Sequence, residues 1–570
     1  MFYLKRIMKK LFLLALLSPL FSIAQPVLKY EQSQTLTYDE VVTEYQKLCR
    51  KFPGLCRLDS MGHGDNGKTI YAFVIADYDT GSRELPTLLI NNAIHPGESD
   101  GVDASLLFAY QVLSQPGLYS GVRFVIIPMY NVDGFSLQSC CTRANQHGPE
   151  NQGFRGNARN LDLNRDFIKA DAANTWAFYK IFHTYRPHIF IDNHVSNGAD
   201  YPYTMTLITS QVDKLGGELG AFVKNEMEPW IYMDMVKKKQ PMVPYVNTLT
   251  EVPDSGLVGF LETPRFSTGY AALFHCIGFV PETHMLKPYA SRVKATLQLL
   301  ESFALYASTH ANKLVAVKNK AVRANRNQSG FPLNWLLDKT RVDSIDFNGF
   351  TSGYKASEIS GHNRLWYDRN RPFTKKIPFL NKYTASDSVT RPKAYIVPQA
   401  WHEVINRLAA NRIEYTTLAK DTLLNVEAYY LSNYETTKRP YEGHYLHYNT
   451  QFERRDIRKQ FFKGDVLVTT DQPSVRFLIE SLEPKSVDSY FNWNFFDSML
   501  QQKEYFSDYV FEDTGARLLK TDPELKRRLE EKRKTDPDFA KNGSAQLDFI
   551  YRNSPYYEST HNQYPIFRLP

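Results

Sequence analysis

An α/β fold, with a mixed, mostly parallel sheet flanked by helices, is predicted for the first half of this 570-residue chain. Three observations predict it. Apolar runs at 85–90, 122–128, 187–192 and 276–282 read as buried strands, because they are nearly continuous in Val, Ile, Leu and Phe rather than alternating. Stretches with helical apolar spacing lie between them. Polar, chemistry-bearing residues fall directly after the apolar runs, at the carboxyl ends of the strands, where open α/β sheets build their sites.

In chain order, residues 36–60 contain an amphipathic helix, Tyr38-Asp39-Glu40-Val41-Val42 and onward. Residues 55–75 read as strands around the Gly-rich turn 61–67. The strand 85–90 leads through Asn91-Asn92-Ala93-Ile94-His95-Pro96-Gly97-Glu98 into a helix at 102–114. A strand at 122–128, a helix at 171–185 and a strand at 187–192 continue the rhythm of a parallel sheet with helices on both faces. A helix is predicted at 211–228 and a loop at 243–258. The last strand, 276–282, ends on Glu282, and a helix at 288–312 follows.

The length calls for more than one domain. The expected organisation is a signal segment at 1–24, a catalytic-type domain at 25–312, a linker at 313–330 and a C-terminal accessory α/β module at 331–570. The linker is assigned on its basic, polar composition. In the second half, strands at 393–398 and 463–470 are each followed by a helix. Asp522-Pro523 and Asp536-Pro537 each read as an N-cap with proline at the first helical position. The charge run 526–533 reads as a solvated helix face, and the Tyr- and Pro-rich last twenty residues as a surface wrap. His444 and His447 read as part of a surface strand or turn.

Composition excludes several classes. The net charge of +7 is mild for this length and both signs are interspersed, which argues against a nucleic-acid partner. Lys5, Arg6, Lys9 and Lys10 followed by an apolar stretch at 11–23 and Ser22-Ile23-Ala24 make an export signal, so a periplasmic or extracellular protein with no integral membrane segment is expected. Five cysteines are too few and too oddly spaced for a disulfide scaffold, although Cys49 and Cys56 are close enough in sequence to bridge.

The candidate chemistry starts at His95-x-x-Glu98. Imidazole and carboxylate on a turn after a strand suit two ligands of a zinc ion, which needs a third from elsewhere. By itself the pair also fits a solvated loop. His194, directly after strand 187–192, is placed as the third ligand, with Asp192 able to orient its ring. Glu282, a carboxylate at the end of an apolar strand, fits a general base for water. Arg155, Arg159 and Arg165, among the amides of 155–167, suit a substrate that carries a carboxylate. Asn131-x-Asp133-Gly134 marks another turn on the same edge.

The order His95-x-x-Glu98, Asn131-x-Asp133-Gly134, Arg155-x-Asn157-Ala158, Asp162-Leu163-Asn164-Arg165, His194, Glu282 resembles the zinc carboxypeptidase family over residues 35–310. The arginine run is similar to the bacterial murein-peptide branch. The resemblance implies that His95, Glu98 and His194 bind Zn2+, that Arg155 polarises the scissile carbonyl, and that Asn164 and Arg165 hold the substrate's α-carboxylate. It implies that Glu282 is general base and then general acid. The expected function is an exported metallocarboxypeptidase acting on peptide substrates. A zinc amidase for cell-wall peptides or N-acyl amino acids, and an inactive binding protein, are the alternatives. Two departures stand out. The tyrosine the family places some twenty residues before its glutamate is missing; Gly259 and Phe260 lie there, and Tyr270 reads better as a packing residue. Arg143 competes with Arg155 for the oxyanion role.

Overall fold

A computed structural model describes residues 26–76 and 84–570; the expected export signal lies outside the described residues. The first half is built on a nine-stranded mixed sheet in the order β1 (Cys56–His63), β2 (Thr69–Ile75), β4 (Arg123–Ile127), β3 (Thr87–Asn91), β5 (Ile189–Asp192), β10 (Ile277–His284), β7 (Met205–Thr209), β8 (Val243–Pro244), with β6 (His194–Ser196) paired to β10 and the short β9 (Leu257–Val258) outside this sheet. The centre of the sheet is parallel: β4 with β3, β3 with β5, and β5 with β10. β1 and β2 join at one edge, and β7 near the other, by antiparallel pairing. The apolar runs form these central strands because helices cover both faces and leave β3 and β5 fully buried.

Helices Tyr38–Lys51, Asp100–Ser114, Ala173–Tyr185 and Tyr289–Thr309 flank the sheet. Thr37 caps the first of them, and Thr37 with Glu40 makes a reciprocal capping box. The helix Asp100–Ser114 begins two residues after Glu98, and its start is braced. Arg292, fully buried on Tyr289–Thr309, donates from Nε to Asp100 at 2.9 Å and from Nη2 to the Gly148 carbonyl at 2.8 Å. Tyr289 donates to Asp103 at 2.6 Å. The helix expected at 211–228 is broken instead, because Gly216, between the segments Val212–Leu215 and Gly217–Phe222, and Gly217, which opens the second, adopt positive φ (66° and 51°).

The stretch 313–330, expected as a linker, is helical over Ala311–Asn327. Leu314, Val317 and Ala321 recur on one face and pack on the core, while Lys313 and Lys320 pair with Glu226 and Glu218. The polar composition belongs to the solvated face of a docked helix. The apolar core is continuous through both halves: Tyr270 and Phe274 meet Phe477, with the Phe274 and Phe477 rings 5.4 Å apart.

The second half holds a six-stranded sheet in which all pairs are antiparallel. The expected strands at Ala394–Val397 and Val466–Thr469 are adjacent in it. Two long ribbons were not anticipated: Asp343–Ala356 with Asn363–Leu380, and Thr422–Thr436 with His447–Phe461. The chain end does not wrap a surface. Phe567–Leu569 pairs between Ala394–Val397 and Thr422–Thr436, because Ile566 and Phe567 are buried there. Asp522 and Asp536 cap helices Pro523–Thr535 and Pro537–Lys541 as expected. Cys49 and Cys56 are free thiols, and the disulfide joins Cys140 to Cys141. Among the described residues no helix is long and apolar enough to cross a membrane.

Three histidines are buried and a fourth, His183, is half-buried, in surroundings that favour the neutral ring. Burial lowers the pKa of His183 and His284 to about 4, and of His188 and His275 to about 3. The unfolded chain therefore binds more protons below the ordinary value of 6.5. Stability contributed by these rings is present above about pH 6.5 and is lost as pH falls toward 4. The urea midpoint should drop across that window, and His188→Gln should make the drop shallower; an unchanged profile would refute the burial argument.

Candidate metal centre and active site

The turn carrying His95 and Glu98 leaves the carboxyl end of β3. Its backbone bends at Ala93, with φ 56°, a left-handed conformation that costs a residue with a Cβ about 1–2 kcal/mol. The Tyr130 and Asn131 N–H groups hold the bend by donating to the Asn92 and Ala93 carbonyls at 2.9 and 3.1 Å. The Asn131 side-chain amide donates to the Ile94 carbonyl (3.2 Å) and the Arg155 carbonyl (3.1 Å), which ties the turn to the arginine loop. Asp133 accepts from the Asp65 and Asn66 N–H groups. Asn131 and Asp133 thus staple loops and stand outside the reacting groups.

Strand register supplies the rest. Asn91 on β3 lies beside Asp192 on β5, and Glu282 on β10 lies beside His194 on β6. One ligand atom from each of His95, Glu98 and His194 falls within 4.8 Å of the others, and all three residues are buried. His95 Nδ1 is 3.1 Å and His194 Nδ1 2.9 Å from the Glu98 carboxylate. The outer ring nitrogens are also held: His95 Nε2 lies 3.0 Å from Asp162, and His194 Nε2 lies 3.1 Å from Asp192. Glu98 further accepts from the Val195 N–H at 3.0 Å and from Arg143 Nη2 at 2.6 Å.

The electrostatics suit a cation. Burial alone would raise the Glu98 and Asp162 carboxyls. Arg143 and the two imidazoles hold Glu98 well below the usual range, and His95, Arg155 and Arg165 do the same for Asp162. Burial opposes charge on His194, but Asp192 and Glu98 override it and raise its pKa well above the ordinary histidine value. Two imidazoles and a carboxylate, with both imidazoles oriented by further carboxylates, form the donor set of a catalytic zinc site. The residues present therefore fit zinc.

Residues 41–207 match the family model of zinc carboxypeptidases. That stretch is a zinc carboxypeptidase domain. Carboxypeptidase 2 of Trichophyton rubrum is 24% identical over 72% of this chain and 73% of its own length. The catalytic chain of human carboxypeptidase N is 26% identical over 25% of this chain and 32% of its own. A metallo-carboxypeptidase structure from Burkholderia cenocepacia is 15% identical, covers 48% of this chain and 70% of its own, and superposes with a TM-score of 0.39.

All seven residues singled out in the sequence, His95, Glu98, His194, Arg155, Asn164, Arg165 and Glu282, line one cavity of about 300 Å3. A larger cavity of about 540 Å3 in the second half, floored by Trp401, Phe461 and Phe567, shares no residue with it. Glu282 is half-buried in the cavity wall. Burial, with repulsion from Glu98 and Asp192, lifts its pKa to about 8 against the pull of His194 and Arg155. Arg155 is half-exposed and chelates Asp162 through Nε (3.0 Å) and Nη2 (2.8 Å). Asn164 and Arg165 sit on a 3-10 turn capped by Asp162, which accepts the Asn164 N–H at 2.9 Å.

Three further residues matter. Asp162 orients His95 and anchors Arg155; it stood in the quoted Asp-Leu-Asn-Arg run, and a carboxylate behind a ligand imidazole is the signal that points to it. Arg143 lies closer to Glu98 than Arg155 does, at 2.6 against 3.8 Å. Tyr245 lines the cavity although no spacing marks it. Tyr270 is fully buried, stacked on Tyr179 and donating to Asn411, so it is a packing residue.

Asp162→Ala should weaken zinc retention by about 10- to 100-fold, the usual effect of losing the group that orients a ligand ring. Competition with a chromogenic chelator measures it, and retention equal to the parent protein would remove Asp162 from the site.

Proposed function

We propose that this chain is an exported carboxypeptidase that hydrolyses the C-terminal amide bond of peptides. The observation that carries the reading is the meeting, in one cavity, of the His95–Glu98–His194 cluster, the Glu282 carboxyl and the guanidinium groups of Arg155 and Arg165. Held by His95, Glu98 and His194, zinc supplies Lewis acidity and makes water a competent nucleophile near neutral pH.

The protein groups do the rest. Arg165 and Asn164 grip the free α-carboxylate of the peptide, which sets the last amide bond beside the ligand cluster. Arg155, kept in place by Asp162, donates to the scissile carbonyl oxygen as negative charge develops there. Glu282 takes a proton from the attacking water and returns it to the leaving amine nitrogen. A carboxyl poised close to neutrality suits both transfers. Ile208, Tyr245, Phe260, Phe266 and Val280 form the apolar wall of the cavity. They favour an apolar or aromatic C-terminal side chain.

Digestion of a peptide panel, read by mass spectrometry with and without chelator, tests this. Peptides ending in Phe or Leu should lose their last residue, and the same peptides with an amidated C-terminus should resist. Glu282→Gln should keep about one zinc per chain and lose at least about 100-fold in kcat; full turnover in that variant would end the general-base assignment. Export is supported by the charged start and apolar stretch of residues 1–24. N-terminal sequencing of the secreted protein should begin at Gln25, and recovery of an intact Met1 end would count against it.

A further inference from the structure

The second half reaches the arginine loop through a two-residue turn that the chemistry above does not use. Tyr441 and His444 exchange backbone hydrogen bonds of 2.8 and 3.1 Å across Glu442 and Gly443. Both central residues have positive φ, 51° at Glu442 and 84° at Gly443. Hairpin turns of this geometry ordinarily take Asn, Asp or Gly at both positions, so Glu442 sits there at a conformational cost. The turn is clamped from both sides. His444 Nδ1 meets Asn494 at 2.6 Å and Nε2 meets Asp171 at 2.7 Å. Arg265, paired with Asp488 at 2.6 Å, lies over the rings of Tyr441 and Trp493.

The clamped turn holds the two ends of the segment Asp162–Arg165. The Glu442 carboxylate accepts the Asp162 N–H at 2.7 Å, and the Tyr441 hydroxyl accepts from Arg165 Nε at 3.0 Å. Neither residue lines the cavity, so both act from behind it. Asp162 is the residue that orients His95 and chelates Arg155. Arg165 has its guanidinium face on Phe266, 4.6 Å from the ring centre. With Nε committed to Tyr441 and Nη1 donating to the Asn164 carbonyl at 2.8 Å, Nη2 is the nitrogen left to face a carboxylate.

We propose that Tyr441 and Glu442 are positioning residues of the active site. Tyr441, together with the Asn164 carbonyl, fixes Nη2 as the nitrogen of Arg165 that meets the substrate carboxylate, and Glu442 fixes the backbone of Asp162 and through it the hold on His95. The catalytic centre is thereby completed by the C-terminal half, which gives that half a part in substrate binding and metal retention. The proposal rests on the reading of Arg165 as the carboxylate-binding group and of His95 as a zinc ligand.

Three full-length variants test it, each checked for an unchanged thermal midpoint. Tyr441→Phe removes one hydroxyl; it should raise KM for a free-carboxylate peptide by about tenfold, the worth of a hydrogen bond to a charged group, and leave kcat little changed. Glu442→Ala should lose zinc to a chelator about tenfold more readily. Glu442→Gln keeps an oxygen acceptor for the Asp162 N–H and should restore retention. Parent-like KM in Tyr441→Phe together with parent-like retention in Glu442→Ala overturns the proposal, as does equal zinc loss in the Ala and Gln variants. If instead the parent protein removes no residue from free-carboxylate peptides, it is the carboxypeptidase reading that fails.

Discussion

The carboxylate of Glu98 is buried at 3% exposure, and much of the first half is arranged to keep it charged. An unpaired buried carboxylate is not tolerated, so its neighbours are dictated. Two imidazoles, one guanidinium and one backbone N–H converge on it. Both imidazoles have their own support. Asp162 and Asp192 hold the imidazoles, and the Asp100–Arg292 pair anchors the helix that follows the turn. The His95–Glu98–His194 cluster is the innermost layer of this nested set of compensated charges.

The same logic extends across the chain. Asp162 is shared by His95, Arg155 and the Asn164 N–H, and its own N–H is satisfied by Glu442, some 280 residues later. The Arg265–Asp488 pair and the Asp171–His444 contact tie the same region to the second half. The apolar core also runs unbroken between the halves, so the second half packs directly against the half that carries the candidate site. A fold in which a distant segment buttresses the site gains rigidity where a misplacement of about 1 Å is expensive in rate.

Much of the first half was legible because its strands are buried on both faces. Runs such as Leu88-Leu89-Ile90 and Ile189-Phe190-Ile191 have one plausible environment. In the second half the Asp522 and Asp536 caps were legible because their contacts lie two or three residues away. The long ribbons were not legible. Asp343–Ala356 and Asn363–Leu380 are exposed or half-exposed along most of their length, so the two-residue alternation that betrays a half-buried strand is weak. The basic stretch read as a linker failed for a related reason: one apolar stripe of Leu314, Val317 and Ala321 among many charges is enough to dock a helix on an existing core.

What the sequence by itself determined is which chemistry-bearing residues meet in one cavity. His95, Glu98, Arg155, Asn164, Arg165, His194 and Glu282 each sit after a strand or in one arginine-rich run, and the fold brings all seven to that cavity. What only the tertiary structure decided is which neighbours orient them. Whether Asp162 faces His95, whether Arg143 reaches Glu98, and whether Tyr441 and Glu442 of the far half lock the arginine loop all depend on contacts between segments distant in the chain. Such contacts leave no periodicity or spacing to read. They follow from strand register and from the need to satisfy each buried charge, and both are settled only when the whole core closes.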